Sequence, residues 1–291
     1  MLYDYGMRNT HARGQGSMVH WLAMADMTAG GSITEGTDPT EYTLSSGDQT
    51  ATVAQYGQSV LVSDILQDTW VAGSYQQLME RLARNAALTL DTVIRNSILS
   101  AGGTASYGGT AVARNSIATD GSMDMDVAEI RTGMTYLETL KAETYPDGFY
   151  RCVVPPDVKY DLQGDTASWQ EVVKHTDPSM IRERFAGARG AGRHDIGELF
   201  GVRFAMSQLC PTLAVSGSAC TDVYQSYLFS PGHFGISELQ EVQTIVKNPH
   251  PASDLDLYGT VGWKVAFAAK QLEAKRMIRI ETGASLSTDG A

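Results

Sequence analysis

The residues of this sequence that could do chemistry are few, and they form no familiar catalytic or metal-binding pattern. The Gly-x-Ser-x-Gly, P-loop, His-Glu-x-x-His, Cys-x-x-Cys and calcium-loop motifs are all missing. Asp124, Asp126 and Glu129 could ligate a divalent cation, but carboxylates in a first helical turn ordinarily cap backbone amides, and capping is favoured. No metal-ligand spacing joins the scattered histidines His175, His194, His233 and His250. The sequence therefore predicts no enzyme, no metal site and no cofactor.

The basic side chains include one cluster, formed by Arg182, Arg184, Arg189 and Arg193. The cluster contains Gly187–Gly192, which superficially resembles a phosphate-cradling loop. No convincing strand precedes this segment and no convincing helix follows it, so a glycine-rich loop is favoured. A solvated basic loop is one interpretation of the arginines. Contact with carboxylates of a neighbouring subunit or with nucleic-acid phosphates is another, because the guanidinium fork holds two oxygen atoms at once.

The most unusual feature is an acidic run without cations. From Gly14 to Glu80 the chain has 67 residues with no Lys or Arg and eight carboxylates. Within it, residues 33–58 are typical of extended chain but offer only five sizeable apolar side chains: Ile33, Tyr42, Leu44, Val53 and Tyr56. A hairpin so poor in hydrophobic residues is marginal alone in water. We therefore expect it to lie on another copy of the same protein.

Composition excludes several classes of protein. A net charge of -11 and a pI near 4.9 argue against general affinity for nucleic acid, which needs clustered Lys and Arg. A hydrophobic content of 43% is that of an ordinary globular protein. The three cysteines favour reduced thiols, with a Cys210–Cys220 bridge as the alternative. We see no secretory signal and no apolar run long enough to span a membrane.

Residue periodicity predicts the elements that position these residues. Apolar residues at helical spacing predict helices over 75–99 and 126–144. A long polar hairpin is predicted from strands 40–44 and 50–62, with Ser45–Asp48 as its tight turn. Further strands are predicted over 149–154, 202–206, 224–229 and 240–246, and a closing strand pair over 259–271 and 275–281.

Several segments together resemble the major capsid proteins of tailed bacteriophages of the Hong Kong 97 type. The matching segments follow the family's order along nearly the whole chain: Thr34–Thr40, Tyr56–Gly57, Val62–Asp68, Val153–Val158, Asp195–Phe204 and Tyr258–Lys264. Each segment is weak alone, but their order is specific. The resemblance implies an α+β Hong Kong 97-type capsid fold with an N-terminal arm, an extended β-hairpin loop, a peripheral domain with a long spine helix, and an axial domain.

The resemblance also implies a division of the chain. The expected arm is 1–31 and the extended loop is 32–72. The peripheral domain takes 73–144 and returns as strands over 246–282, the axial domain takes 145–245, and residues 283–291 form a C-terminal tail.

The function implied by the resemblance is structural. Hexamers and pentamers of one subunit would form an icosahedral shell around double-stranded DNA, bound without sequence specificity, in a virion assembled in the bacterial host cytoplasm. Some family members join subunits by an isopeptide from a loop Lys, but this loop has no Lys, so we expect non-covalent contacts. We expect a separate scaffolding protein and a portal protein, leave a decoration protein open, and expect no membrane. An encapsulin-like compartment enclosing cargo enzymes is the alternative.

The resemblance and the charges together predict contact residues. The loop residues expected to meet a neighbouring subunit are Glu35, Asp38, Glu41, Tyr42, Leu44, Asp48, Val53 and Tyr56. Their basic partners are expected among Arg81, Arg84, Arg95, Lys270, Lys275, Arg276 and Arg279. Arg81, Arg84, Lys275, Arg276 and the cluster Arg182, Arg184, Arg189 and Arg193 are alternatively expected to face DNA.

Overall fold

The chain folds into two compact units. The computed structural model describes residues 2–12, 14–24, 27, 29–33, 35–36, 38, 41, 43, 46–69, 74–100, 103–118, 122–166, 169–175, 195–214, 222–248, 250–251 and 253–286. Unit 1 comprises Met1–Ser97 and Phe234–Leu272, and unit 2 comprises Ile98–His233 and Glu273–Ala291.

Strands dominate the described part of the chain. They are β1 (Met7–Thr10), β2 (Met18–Met24), β3 (Ser46–Thr52), β4 (Ala54–Ser63), β5 (Thr104–Tyr107), β6 (Tyr150–Val154), β7 (Asp195–Leu199), β8 (Val202–Met206), β9 (Thr212–Ala214), β10 (Asp222–Phe229), β11 (Phe234–Lys247), β12 (Tyr258–Gln271) and β13 (Met277–Thr282). The α-helices are α1 (Asp64–Thr69), α2 (Ser74–Ser100), α3 (Val127–Thr139), α4 (Pro156–Gly164) and α5 (Trp169–His175).

Unit 1 is built on a four-stranded sheet with the order β1-β11-β12-β4. Strands β11 and β12 are each 14 residues long and antiparallel, and β4 pairs with β12 along its whole length. The 27-residue helix α2 is about 40 Å long at roughly 1.5 Å per residue. Trp263 of β12 donates its indole N–H to Asn85 Oδ1 of α2 at 3.0 Å, so helix and sheet are joined by a directed hydrogen bond.

The arm and the loop of unit 1 form a two-stranded ribbon, β2 with β3. Side chains of β2 alternate, so Val19 and Trp21 are buried while their neighbours face solvent. Val19 and Trp21 pack with Ala268 of β12, and Ala51, Val53 and Leu272 complete this cluster, which we call the ribbon cluster. The arm thus supplies the large apolar side chains that the loop lacks.

This pairing corrects the predicted hairpin. Ser46–Asp48, predicted as a turn, lie within β3, and the partner of β3 is β2 instead of the stretch 40–44. Of that stretch only Glu41 and Thr43 are described, and both lie outside regular structure. The physical reason is burial: pairing with β2 brings Trp21 onto the ribbon, whereas 40–44 offers only Tyr42 and Leu44.

Unit 2 has its own sheet and its own core. Its seven-stranded sheet has the order β5-β13-β10-β6-β8-β7, with β9 paired to β10. Leu137 of α3, Phe204 of β8, Leu228 of β10 and Ile280 of β13 are fully buried in one continuous apolar cluster. The prediction that the strands at 259–271 and 275–281 pair with each other is wrong. Strand β12 pairs with β11 and β4, and β13 pairs with β10 and β5.

The two units divide the chain differently from the predicted domains. Helix α3 and strand β13 belong to unit 2, although both fall in the predicted peripheral domain. The first part of β11 belongs to unit 1, although it falls in the predicted axial domain. The pairing of strands decides which unit a strand belongs to. Hydrophobic periodicity along the chain does not show which strands pair. The names peripheral and axial refer to places in a capsomer, and they stay predictions.

Several local predictions are confirmed. Helix α2 matches its predicted bounds within one residue, and β8 matches exactly its predicted range 202–206. Asp126 is the N-cap of α3 and accepts hydrogen bonds from the N–H groups of Ala128 and Glu129. Glu129 completes the capping box by accepting from the Asp126 N–H at 3.2 Å.

A buried carboxylate organises the sheet of unit 2. Glu281 of β13 is 0% exposed. Arg114 donates to both of its oxygens, at 2.7 and 2.6 Å, and Gln225 donates to Oε1 at 2.9 Å. Arg279 lies 2.7 Å from the same Oε1. Burial acts to raise the pKa of Glu281, but the Arg114 hydrogen bond and the charges of Arg279 and Arg114 outweigh it and lower the pKa.

The ribbon cluster yields the first prediction. Replacing Trp21, which is 6% exposed, with Ala removes the largest side chain joining β2 to β3. We expect the free energy of unfolding of unit 1 to fall by roughly 3 kcal/mol. We also expect residues 14–63 to be cleaved sooner in limited proteolysis. Urea unfolding and protease mapping measure the two effects. The matched control is Leu22→Ala, since Leu22 is 63% exposed on the other face of β2; equal effects of the two substitutions would contradict the assigned role.

The buried carboxylate yields a second prediction, on pH. Because its folded-state pKa is lowered, Glu281 contributes stability above its ordinary pKa of 4.5 and loses it as pH falls through the folded value. Arg114→Gln should therefore cost about 2 kcal/mol of unfolding free energy at pH 7, and this difference from the parent should shrink in acid. Denaturant titrations from pH 7 to 3 measure it. Arg131→Gln, at an exposed position on α3, is the control, and a difference for Arg114→Gln that is constant over this range would refute the argument.

Candidate assembly surfaces

The acidic segment between the two ribbon strands is exposed throughout its described part. Every described residue from Met27 to Thr43 is exposed, and these include Glu35, Asp38 and Glu41. Ile33 is 69% exposed, which is unusual for an isoleucine in a folded chain. Three carboxylates and an apolar side chain are therefore available to a partner along about 15 residues of chain.

The other predicted loop contacts have different surroundings. Asp48 lies on β3 and its Oδ2 is 2.8 Å from Nδ1 of His20 on β2. Val53 is half-buried in the ribbon cluster, and the ring of Tyr56 packs 5.2 Å from that of Phe267. Packing within the chain therefore accounts for Val53 and Tyr56 without a second subunit. Tyr42 and Leu44 lie outside the described residues.

The predicted basic partners include both exposed side chains and a side chain that is engaged within the chain. Arg81 and Arg84 are exposed on α2, and Lys275 is exposed in the short 3-10 helix Ala274–Arg276. Arg276 is engaged inside unit 2, where it pairs with Glu273 and donates to the Pro231 carbonyl at 3.2 Å. A structural role therefore accounts for Arg276.

The arginine cluster is not described. Arg182, Arg184, Arg189 and Arg193 lie outside the described residues, as does the glycine-rich segment 187–192. Contact of these arginines with a neighbouring subunit or with DNA stays a prediction.

Asp126 and Glu129 at the start of α3 are used for capping. Burial raises the pKa of Glu129 to about 7, and its hydrogen bond with Asp126 acts in the same direction. Its other oxygen accepts the Gly109 N–H at 2.9 Å, which joins the preceding loop to the helix. Asp124 and Asp126 line a cavity of about 680 Å³. Among the described residues no group of three or more His, Cys, Asp or Glu is arranged to hold a metal ion.

The structure contains one basic surface that was not predicted from the sequence. Lys247 of β11 and Lys264 of β12 lie on the same face of the unit 1 sheet, and His250 follows directly after β11. Their separation in sequence hides this arrangement. The alternation of Gln243, Ile245 and Lys247 could have suggested an outward-facing row, but its neighbours in β12 and β4 follow only from strand register. Within the described residues, no helix is long and apolar enough to cross a membrane.

Comparison with solved structures finds that the fold is similar to those of several phage capsids. The capsid of Ralstonia phage GP4 is similar with a TM-score of 0.75 and 13% identity, over 99% of this chain and 89% of that one. The capsid of cyanophage P-SCSP1u is similar with a TM-score of 0.70 and 13% sequence identity, over 98% of this chain and 88% of that one. The capsid of Helicobacter pylori bacteriophage KHP30 has a TM-score of 0.66 and 11% sequence identity, over 98% of this chain and 91% of that one. At these identities the likeness establishes the fold, and the predicted Hong Kong 97-type α+β fold is confirmed.

Comparison at the level of sequence establishes the family. No curated protein matches the chain. The family described as "Phage capsid protein" matches residues 47–290, which is most of the sequence and includes β3 except its first residue, both long strands and the whole of unit 2's sheet. The family and its fold are structural and not enzymatic. This chain therefore belongs to the phage capsid protein family.

Proposed function

We propose that this chain is the major subunit of a bacteriophage capsid, in which hexamers and pentamers form an icosahedral shell around double-stranded DNA. The observation that carries the proposal is the family match over residues 47–290. The exposed acidic segment supports it, because a long cation-free stretch with little core of its own gains most from neighbouring copies. An encapsulin-like compartment is not favoured, since the family and the similar structures are those of phage capsids.

Charge explains how such a shell contains DNA without binding it strongly. A subunit with a net charge of -11 repels phosphates on average, so the DNA is enclosed without sequence-specific contact. The same acidity selects basic surfaces on neighbouring subunits and helps to fix which neighbour each loop meets.

The contacts between subunits are proposed to be non-covalent. No Lys occurs between Gly14 and Glu80, so the loop cannot supply the amine for an isopeptide. Exposed ion pairs contribute only about 0 to 1 kcal/mol each. A closed shell nevertheless repeats each interface many times under its symmetry, so the number of copies carries the effect.

The remaining partners belong to the same proposal. Assembly takes place in the bacterial cytoplasm with a separate scaffolding protein, and a portal protein provides the entry for DNA. The finished subunit resides in the virion capsid, where the outer surface is available to a decoration protein.

The mass and symmetry of the native assembly test the proposal directly. Electron microscopy of the purified chain should show hexamers, pentamers or angular shells, and mass measurement should give multiples of the 31.4 kDa subunit. Small uniform shells holding protein would favour the compartment instead. Monomers or dimers that persist at high protein concentration in the presence of the scaffolding protein would refute both.

The exposed acids yield the third prediction. The double substitution Glu35→Lys and Asp38→Lys should reduce assembly by about tenfold or more, because repulsion from a basic neighbour replaces attraction. Stability of the separate subunit should change little, since both residues are exposed. The matched control is Glu138→Lys with Glu143→Lys, an equal charge change at exposed positions in unit 2. Sedimentation measures assembly, and equal losses in the two variants would mean that net charge alone matters.

A further inference from the structure

We propose that Asp126 and Glu129 form a proton-dependent latch, in which one shared proton holds the loop 108–118 against the start of α3 and loss of that proton loosens the loop. We call this pair the carboxyl latch. The loop follows β5 and meets the latch through the backbone of Gly109. The inference concerns unit 2 alone and does not depend on the proposed function. It gives the two carboxyl groups a use beyond helix capping.

Glu129 is hydrogen-bonded both to the loop and to the residue that caps the helix. Its Oε1 accepts the Gly109 N–H at 2.9 Å, and its Oε2 accepts the Asp126 N–H at 3.2 Å. Its carboxyl group is also hydrogen-bonded to the carboxyl group of Asp126. Two ionised carboxylates have only acceptor atoms, so a hydrogen bond between two carboxyl groups requires a proton. The contact therefore exists only while the pair holds one proton.

The surroundings decide which carboxyl group carries that proton. Glu129 is 9% exposed, whereas Asp126 is exposed and accepts the Ala128 N–H at 2.6 Å. Burial penalises a charged carboxylate and two adjacent carboxylates repel each other, so the buried member of the pair keeps the proton. Burial and the Asp126 hydrogen bond accordingly raise the pKa of Glu129 to about 7. The pKa of Asp126 is lowered by the same hydrogen bond.

Among the described residues, no cation compensates the charge that Glu129 would carry. The charged group that acts on its pKa is Asp126. On α3 itself, the guanidinium of Arg131 lies over the ring of Phe200. The titratable side chains in the loop, in the segment before α3 and on the strands β5, β10 and β13 packed against the helix are Arg114, Asp124, Tyr107, Asp222, Tyr224, Tyr227, Arg279 and Glu281. The two cations of this set, Arg114 and Arg279, both engage Glu281.

The loop is closely fitted where it meets the latch. Gly109 has a φ of 58°, in the left-handed region that favours glycine. A Cβ on Gly109 would also lie 2.6 Å from the Ser122 carbonyl oxygen. The preceding Gly108 donates its N–H to the Glu281 carbonyl oxygen of β13 at 2.9 Å. Since the backbone is held on these sides, the Gly109 N–H reports whether the Glu129 carboxyl group is in place.

The shared proton gives the latch a defined pH dependence. Because the folded-state pKa of Glu129 lies above its ordinary value of 4.5, the protonated pair stabilises the latch fully below pH 4.5, and this stability is lost as pH rises through about 7. Asp126 acts in the opposite direction, since its lowered pKa removes stability only as pH falls below its ordinary value of 3.8. Between pH 5 and 8 the Glu129 proton therefore controls the opening of the loop.

Hydrogen exchange of the Gly109 amide in the full chain tests the latch. We expect its protection, corrected for the intrinsic pH dependence of exchange, to fall by about tenfold or more from pH 5 to pH 8, because opening restores the ordinary pKa of Glu129. Glu129→Gln should keep at pH 8 the protection that the parent has at pH 5, since a Gln amide can accept from Gly109 and donate to Asp126 without a charge. Constant protection in the parent, or the same pH profile in both chains, would overturn the proposal.

Two further variants separate the shared proton from other effects. Glu138→Gln makes the same chemical change at an exposed position of α3 and should follow the parent profile. Asp126→Asn keeps a side-chain oxygen that can cap the helix but removes the neighbouring charge. The fall in protection should then occur at lower pH. An unchanged profile in Asp126→Asn would show that the two groups do not share a proton, and would reject the latch.

A direct titration of Glu129 completes the test without relying on a variant's stability. The unassembled parent chain is labelled with carbon-13 at the glutamate carboxyl groups and followed by NMR from pH 4 to 9. We expect one resonance to titrate near pH 7 and to be missing from the spectrum of Glu129→Gln. If the missing resonance instead titrates below pH 6, Glu129 holds no proton at neutral pH and the proposal is wrong. Neither result bears on whether the chain forms shells.

Discussion

The pairing of the N-terminal arm with the loop over the ribbon cluster is the interaction on which unit 1 depends. Strand β3 has no large apolar side chain, and β2 has no core of its own. Trp21 and Val19 satisfy both needs by packing between the ribbon and Ala268 of β12. Without that burial the two strands would be an isolated ribbon, which is marginal in water. The segment between them, whose described residues are exposed, is therefore anchored at both ends by one small cluster.

The two units meet their stability requirements in different ways. Unit 2 has a continuous apolar core and a sheet in which the buried Glu281 is matched by arginines and an amide. A buried carboxylate of this kind costs desolvation and is tolerated because its oxygens are all engaged. Unit 1 has smaller apolar clusters and exposes large aliphatic side chains such as Ile33, Ile65 and Leu255. Exposed apolar groups in an assembling protein are typical of surfaces that other subunits cover.

Charge is distributed unevenly between segments of the chain. The acids of residues 14–80 have no Lys or Arg near them in the sequence, whereas Lys247 and Lys264 lie on one face of the unit 1 sheet. In the proposed shell, surfaces of opposite sign on neighbouring subunits would meet head to tail, and head-to-tail contacts close into rings when the rotation permits. Because individual exposed ion pairs are weak, such contacts remain reversible until many are made together, which allows incorrect contacts to be corrected during assembly.

The sequence by itself determined the local elements, the charge pattern and the family resemblance. Helix α2, the capping box of α3 and strand β8 follow from periodicity and capping chemistry, which act over a few residues. Only the tertiary structure decided which strands pair: β3 with β2, β12 with β11 and β4, and β13 with β10 and β5. Lys247 and Lys264 lie on one face of the unit 1 sheet for the same reason, since strand register decides which residues of different strands share a face. Strand pairing depends on the apolar area buried over the whole chain, and a local sequence pattern does not show that area.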